Sequence, residues 1–233
     1  MPQRLLNKIA VVTGATGELG PAIVQRFLAE GAKVILFGRN RPRLDELAVL
    51  APARVLVVEG DVTNAADIES LVTTTVRRFG GLDVLVPAAG IRRTASLEDC
   101  TPEFVSGTFS VNFQGALEVV RLFQRHLNSG ASIVFLTCAT GTAPRDDLGP
   151  FAASKAALAS FAKSLAAELA PRGIRINCLA PTILAEPSDE DASTAARRKQ
   201  KRAQRVAETM LFLASDESAG ISRQEFVVDG PPA

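Results

Sequence analysis

Residues 8–20 read KIAVVTGATGELG and join a short, β-branched apolar run to a glycine-rich turn and then to the start of an apolar-periodic stretch. The run predicts a buried strand, and the apolar spacing after the turn predicts a helix. A glycine-rich turn between a strand and a helix lets backbone N–H groups and the helix N-terminus approach a pyrophosphate. We therefore expect Gly14, Gly17 and Gly20 to form a cofactor cradle.

The alternation of short apolar runs with longer helical stretches continues along the chain. It predicts successive βαβ units and hence one parallel sheet with helices on both faces. The expected fold is α/β, a Rossmann-like, doubly wound, seven-stranded parallel sheet in a single domain over residues 1–233. The predicted strands are Lys8–Thr13, Lys33–Phe37, Val55–Glu59, Val84–Pro87, Ser132–Thr137, Arg175–Leu179 and Glu225–Val228. The predicted helices are Gly20–Glu30, Arg41–Leu50, Ala65–Phe79, Pro102–Ser110, Phe113–Leu127, Phe151–Ala170 and Ala203–Ala214.

The composition excludes several classes of function. With 233 residues, 47% hydrophobic, and a net charge of +1, the chain has material for one sizeable core and no general attraction to nucleic acid or anionic membrane. The basic run Arg197–Arg202 is interpreted as a solvated helix face or loop, and the acidic stretch Glu186–Thr194 as a mobile connection. Three cysteines at no metal-ligand spacing, and no apolar run long enough for export or insertion, predict a cytoplasmic protein without a metal.

A second stretch, residues 132–165, reads SIVFLTCATGTAPRDDLGPFAASKAALASFAKSL. It resembles the catalytic core of the short-chain dehydrogenase/reductase family, where a strand ending in Ser is followed by Tyr-x-x-x-Lys on a long helix. Cys138 stands at the Ser position, Phe151 at the Tyr position, and Lys155 matches the family's lysine. The turn Thr13–Gly20 is similar to the family's Thr-Gly-x-x-x-Gly-x-Gly, with Glu18 in place of the middle glycine. The resemblance covers essentially the whole chain.

The resemblance implies a nicotinamide dinucleotide cofactor and assigns residues to it. Arg39 suits a 2′-phosphate, which favours NADP, although a solvated arginine at a strand end is an equal interpretation. Asp61 matches the position beside the adenine ring, and Gly90 permits close backbone approach. Glu18 is expected to crowd the phosphates and repel them unless its side chain turns outward.

The resemblance also defines the catalytic set. In the family the tyrosine transfers the proton, the lysine lowers the tyrosine's pKa and holds the ribose, and the serine orients the carbonyl. Phe151 has no exchangeable proton, and the chain contains no tyrosine that could replace it. Asn112 matches the family's asparagine that holds a water between the lysine and solvent. Cys138 has two interpretations, a thiolate favoured by Lys155 or a small apolar filler.

Three functions remain open from the sequence. The first is a non-catalytic subunit or partner of an active homologue, in a homo- or hetero-oligomer formed through the predicted helices Phe113–Leu127 and Phe151–Ala170. The second is an NADP(H)-dependent oxidoreductase in which Lys155, Asn112 and water deliver the proton. The third is a non-redox lyase, isomerase or cyclase that uses Cys138 or Lys155. The sequence indicates no particular small-molecule substrate.

Overall fold

A seven-stranded sheet forms the centre of the molecule. The computed structural model describes residues 3–139, 146–182 and 191–228. Every strand pairs with its neighbours in parallel, in the order β3-β2-β1-β4-β5-β6-β7. The strands are β1 (Ile9–Thr13), β2 (Lys33–Gly38), β3 (Val55–Glu59), β4 (Leu82–Pro87), β5 (Leu127–Leu136), β6 (Arg175–Pro181) and β7 (Glu225–Val228). This sheet confirms the predicted doubly wound α/β fold.

Helices cover both faces of the sheet. They are α1 (Gly20–Ala29), α2 (Arg41–Ala48), α3 (Ala65–Phe79), α4 (Pro102–Phe109), α5 (Gly115–Phe123), α6 (Gly149–Leu169) and α7 (Ala192–Ala214). Side-chain oxygens cap the N-termini of α2, α3, α4 and α7 through Asn40, Asn64, Thr101 and Asp191. Among the described helices, none has both the length and the apolar character needed to cross a bilayer.

The core has two halves because side chains alternate across each strand. On β2, Ile35 and Phe37 pack in the half that contains residues of α3, α5 and α6. Val34 and Leu36 pack in the other half, which contains residues of α1, α2 and α7. Both faces of the sheet are therefore apolar, as the continuous hydrophobic runs of the strands predict.

The strand order reverses between β1 and β4, and this places a cleft at the carboxyl ends of these two strands. The turns that follow them meet there. Gly14, with φ +65°, passes so close to the second turn that a Cβ atom would lie 2.7 Å from the Cα of Ala89. A side chain at Gly14 would therefore force the two turns apart.

Two predicted boundaries are wrong in ways that matter for the site. Helix α7 begins at Ala192 and not at Ala203, because the Asp191 carboxylate accepts hydrogen bonds from the N–H groups of Ser193 and Thr194. The predicted mobile connection is thus helical from 192 onward, while residues 186–190 lie outside the described residues.

The predicted break between two helices at residues 111–112 is also wrong. Helix α4 runs into α5 through a π-helical segment, Ser110–Gln114. At the far end the helix does not reach Leu127, since a 3₁₀ turn over Gln124–His126 leads directly into β5. A π-helical turn inserts one residue into a continuous helix, and such turns commonly lie at functional positions.

Candidate cofactor cleft and active site

Two adjoining cavities occupy the cleft at the carboxyl ends of β1 and β4. They share Gly14, Gly17, Gly90 and Ile91. The inner cavity, of about 160 Å³, extends toward β5 and α6, and the outer cavity, of about 680 Å³, extends toward β2 and α2. The shared residues make one continuous cleft of the kind that accommodates an elongated ligand.

The glycine turn forms the floor of this cleft. Gly14 and Gly17 line both cavities, and Gly20 lines the inner one. A Cβ atom at Gly17 would meet only the carbonyl oxygen of Gly14, at 3.2 Å, so the turn opens onto the cleft at that position. The three predicted cradle glycines therefore lie together where the strand passes into α1.

The carboxylate of Glu18 at the glycine turn forms an ion pair with an arginine. Its side chain is 51% exposed, lines the inner cavity, and accepts a 2.7 Å hydrogen bond from Nη1 of Arg202 on α7. The negative charge expected beside the phosphate position is thus paired with a guanidinium, and its effect on the phosphates stays a prediction. Arg202 itself is only 8% exposed, so the interpretation of the basic run as wholly solvated is wrong for this residue.

Arg39 and Asp61 lie together in the outer cavity. Nη1 of Arg39 is 3.4 Å from Oδ2 of Asp61, and Thr63 donates its N–H and its hydroxyl to Oδ1 of Asp61. Burial opposes ionisation of Asp61, but the Thr63 hydrogen bonds and the Arg39 charge outweigh it and lower the pKa of the carboxyl group. The outer cavity thus presents a carboxylate next to an exposed guanidinium.

Phe151 and Lys155 project from successive turns of α6 into the inner cavity. Phe151 is buried, and its phenyl ring contributes no proton donor to the cavity wall. Nζ of Lys155 donates a 2.7 Å hydrogen bond to the carbonyl oxygen of Leu136 at the end of β5. Burial lowers the pKa of Lys155 to about 8, because desolvation disfavours the ammonium form.

Gly90 lies close to two side chains of the site. A Cβ atom there would lie 3.2 Å from Oδ1 of Asn112 and 3.3 Å from Nζ of Lys155. These contacts are tight, so a side chain at this position would require Asn112 and Lys155 to shift by a few tenths of an ångström. Gly90 therefore lets the segment after β4 approach both groups without such a shift.

The amide of Asn112 is fully engaged by the protein. Oδ1 accepts from the N–H of Ile91 at 2.8 Å, and Nδ2 donates to the carbonyl of Ile91 and to Oγ of Ser154, each at 3.0 Å. Asn112 thus ties the segment after β4 to helix α6 at Ser154, the residue directly before Lys155. The predicted water relay through Asn112 remains a prediction.

Cys138 lies on the wall of the inner cavity, and its Sγ donates to the carbonyl of Pro181 at 3.4 Å. Burial raises the pKa of the Cys138 thiol and outweighs the opposing charges of Lys155, Arg202 and Arg92. This environment disfavours the thiolate interpretation, which stays a prediction. The protonated thiol fits the alternative, a small side chain that fills the space of the serine hydroxyl.

Two charged residues of the inner cavity, Arg92 and Arg202, are not among the predicted site residues. A signal for Arg202 exists in the sequence, since Val206, Met210 and Leu213 follow it at helical spacing and are buried on the same face. The predicted start at Ala203 excluded it. Arg92 follows Gly90 in an irregular segment, where no periodicity marks which side chains face the cleft.

Comparison with known proteins places the chain in a family. A family model described as enoyl-(acyl carrier protein) reductase matches residues 14–230. An uncharacterized oxidoreductase of Staphylococcus epidermidis is 30% identical over 92% of this chain and 94% of its own length. The dehydrogenase/reductase SDR family member 4 of Pongo abelii is 31% identical over 97% of this chain and 87% of its own length.

Solved structures agree with these relatives. The crystal structure of a short-chain dehydrogenase/reductase from Brucella melitensis, titled as a glucose/ribitol dehydrogenase, superposes with a TM-score of 0.88 at 28% sequence identity. The superposition covers 99% of this chain and 98% of that one. The order of the strands, the glycine turn after β1 and the lysine on α6 are thus explained together: the chain belongs to the short-chain dehydrogenase/reductase family.

Proposed function

We propose that this chain is a non-catalytic member of the family that retains the dinucleotide cleft and acts as a subunit or partner of an active homologue. The observation that carries the proposal is Phe151. It faces the inner cavity one turn before Lys155, at the position of the family's proton donor. General acid catalysis contributes about 10²- to 10⁴-fold to a rate, so its loss alone reduces carbonyl reduction to a trace.

No phenol or imidazole in the chain is placed to supply the proton. The chain has no tyrosine, and its one histidine, His126, lies just before β5 at the amino end of the strand, opposite the cleft. Thr137 lines the inner cavity, and its hydroxyl lies 3.0 Å from Oε1 of Glu225 and 3.3 Å from the carbonyl oxygen of Leu179, either of which accepts its single proton. A hydroxyl that is satisfied within the sheet is poorly placed to protonate a substrate.

The residues of the cleft fit a nicotinamide dinucleotide. Proteins of this family generally bind NAD(P) nucleotides. In this chain the diphosphate would lie over the open turn at Gly17, the adenosine half beside Asp61, and the nicotinamide ribose near Lys155. The exposed guanidinium of Arg39 next to the adenosine side supports NADP over NAD. The bound dinucleotide would supply hydride, but the chain offers no phenol to complete the reduction.

The helices proposed for assembly are α5 and α6. The exposed face of α6 carries mainly small residues, including Ala153, Ala156, Ser160 and Ala167, which would let a second helix approach closely. In the core, Phe113 and Phe135 pack edge-on against Phe161 and hold α6 against the sheet. A helix that is packed firmly on the sheet and carries mainly small residues on its exposed face supports pairing with a homologous subunit.

Two experiments test the proposal. Co-expression with a homologue that has the catalytic tyrosine should give a complex that survives size-exclusion chromatography, and the purified chain should bind NADPH with no carbonyl-dependent oxidation. Ala156→Arg on α6 should dissociate the complex, whereas Ala66→Arg on the exposed surface of α3 should not. A chain that stays monomeric in the presence of such homologues contradicts the partner role.

A second candidate is an oxidoreductase with Lys155 as proton donor. It is favoured by the lowered pKa of Lys155, about 8, which leaves the ammonium protonated at neutral pH and able to release its proton more readily than an ordinary lysine. In that case NADPH oxidation should decline as the pH rises through about 8, and Lys155→Met should abolish it. Turnover that is absent in the native chain at every pH excludes this candidate.

A further inference from the structure

Arg202 is an unusual cation of the inner cavity because it is buried and, in the part of the chain that the structure describes, not all of its donors are paired. Its side chain is buried and lines the inner cavity from α7, yet within the described residues its Nε has no hydrogen-bond partner. An arginine has five N–H donors, and burying them unpaired costs free energy. The 2.7 Å contact with Glu18 neutralises the charge but leaves part of the donor set unused.

The surroundings of Arg202 are suited to a larger anion than a single carboxylate. Of the described residues that line the inner cavity, three are cationic, Arg92, Lys155 and Arg202, and one is a carboxylate, Glu18. Helix α1 begins beside them at Gly20 with no side-chain cap and no acidic residue in its first turn. Its free N–H groups and the positive end of its dipole therefore point toward the same place.

We propose that Arg202 binds the diphosphate of the dinucleotide, and that Glu18 is an internal anion that holds Arg202 at the glycine turn until the ligand displaces it. This inference rests on the proposed dinucleotide binding. The exchange is chemically matched, because a diphosphate offers several acceptor oxygens to the guanidinium fork and to the α1 N-terminus at once. Glu18 is half exposed, so its carboxylate can move into solvent when Arg202 changes partner.

The inference predicts opposite effects for the two partners. Glu18→Gln removes the competing anion and the like charge at the phosphate position, so the dissociation constant for NADPH should fall about tenfold. Arg202→Met keeps the apolar stem but removes the cation, and the dissociation constant should rise about 10- to 100-fold. Arg202→Lys, which retains charge without the fork, should lie between the native protein and Arg202→Met.

A matched control is available on the same pair of helices. Arg26 of α1 and Glu208 of α7 form an ion pair at 2.6 Å outside the cleft, so Glu208→Gln breaks a contact of the same kind without touching the ligand. It should leave the dissociation constant unchanged. Circular dichroism and thermal unfolding of each variant verify folding before titration.

The experiment is a calorimetric titration of each full-length variant with NADPH, with ADP-ribose, which retains the diphosphate, and with adenosine, which lacks it. The opposite shifts should appear for the first two ligands and vanish for adenosine. If the native chain binds NADPH and neither Glu18→Gln nor Arg202→Met changes its affinity, this inference is overturned and the proposed function stands. If only Glu18→Gln binds, Glu18 blocks the site in the native chain, and both the proposed displacement and dinucleotide binding by the native chain fail. If no variant binds, both fail.

Discussion

Among the described residues, no carboxylate stabilises the charge of Lys155. Its ammonium contacts a backbone carbonyl of β5, and its remaining surroundings are the cavity wall with Cys138 and Phe151. A buried lysine in this setting costs stability whenever it is charged. Retention of such a residue on α6, beside a phenylalanine that cannot use it, is consistent with a ligand that still contacts the ammonium.

The burial of Lys155 predicts a pH dependence of stability. In the unfolded chain its pKa is the ordinary 10.5, and in the folded chain it is about 8. Between these values the unfolded state binds more protons, so the free energy of unfolding should rise with pH. Relative to Lys155→Met, the native protein should gain about 2 kcal/mol between pH 7 and pH 9.5 in urea unfolding.

The control for this measurement is Lys163→Met, which removes an exposed lysine from the same helix. It should follow the native pH dependence. A constant difference between the native protein and Lys155→Met across this pH range would show that the ammonium is not desolvated by folding.

Cys138 provides a second test at the scale of the residue. Burial raises the pKa of its thiol and raises that of Cys178, on the adjacent strand β6, to about 12. Since the thiolate is the reacting species, alkylation of both by iodoacetamide at pH 8 should be at least about tenfold slower than in the unfolded chain. Peptide mass spectrometry gives the rates. Fast modification of Cys138 in the folded protein would restore it as a candidate nucleophile.

At the scale of elements, α7 is the helix that completes the cleft, and its far end is fixed to the sheet by Arg175. From the start of β6 this buried side chain donates to the carbonyls of Leu213 and Ser215, at 3.0 Å each, and to Oγ of Ser218 at 2.6 Å. A cation at the C-terminus of a helix is favourable for its dipole and satisfies its last carbonyls. The position of Arg202 in the cleft therefore depends on a contact at the opposite end of the molecule.

Arg175→Met should destabilise the protein by about 2 kcal/mol, because buried carbonyls lose their donors while the cost of burying a charge is relieved. Urea unfolding measures this loss, and Arg125→Met, a change at an exposed arginine, provides the reference. Equal stabilities of the two variants would mean that α7 is held by its apolar face alone.

The elements also show where prediction from sequence ends. The continuous apolar runs of the strands and the glycine turn after β1 predict the sheet and the place of the cleft correctly. Each of these signals is carried by residues that are neighbours in the sequence. The start of α7 is predicted wrongly because the run before Ala203 is mostly basic. Nothing in that run indicates that its last residue, Arg202, belongs to the buried face of the helix. The Glu18 and Arg202 pair joins positions far apart in the chain, and nothing local indicates which cation will meet that carboxylate.

Over the full chain, the fold matches the family closely, whereas the residues expected to carry out the reaction do not all match it. The relatives and solved structures match nearly the full length of the chain, and the glycine turns and the lysine of α6 line one cleft. Phe151 stands at the position of the family's tyrosine. In this account the dinucleotide would be held without carbonyl reduction, and the complete fold would be available for assembly with a homologue.

The most direct test is the rate of NADPH oxidation with a panel of ketones and aldehydes, comparing the native chain with the double variant Phe151→Tyr and Cys138→Ser. The expected result is a native rate at background and a rate in the double variant at least about 100-fold above it with one or more carbonyl compounds, because the phenol restores the general acid beside Lys155. A native chain that already reduces any of these compounds well above background, with no gain from the added phenol, would contradict the account.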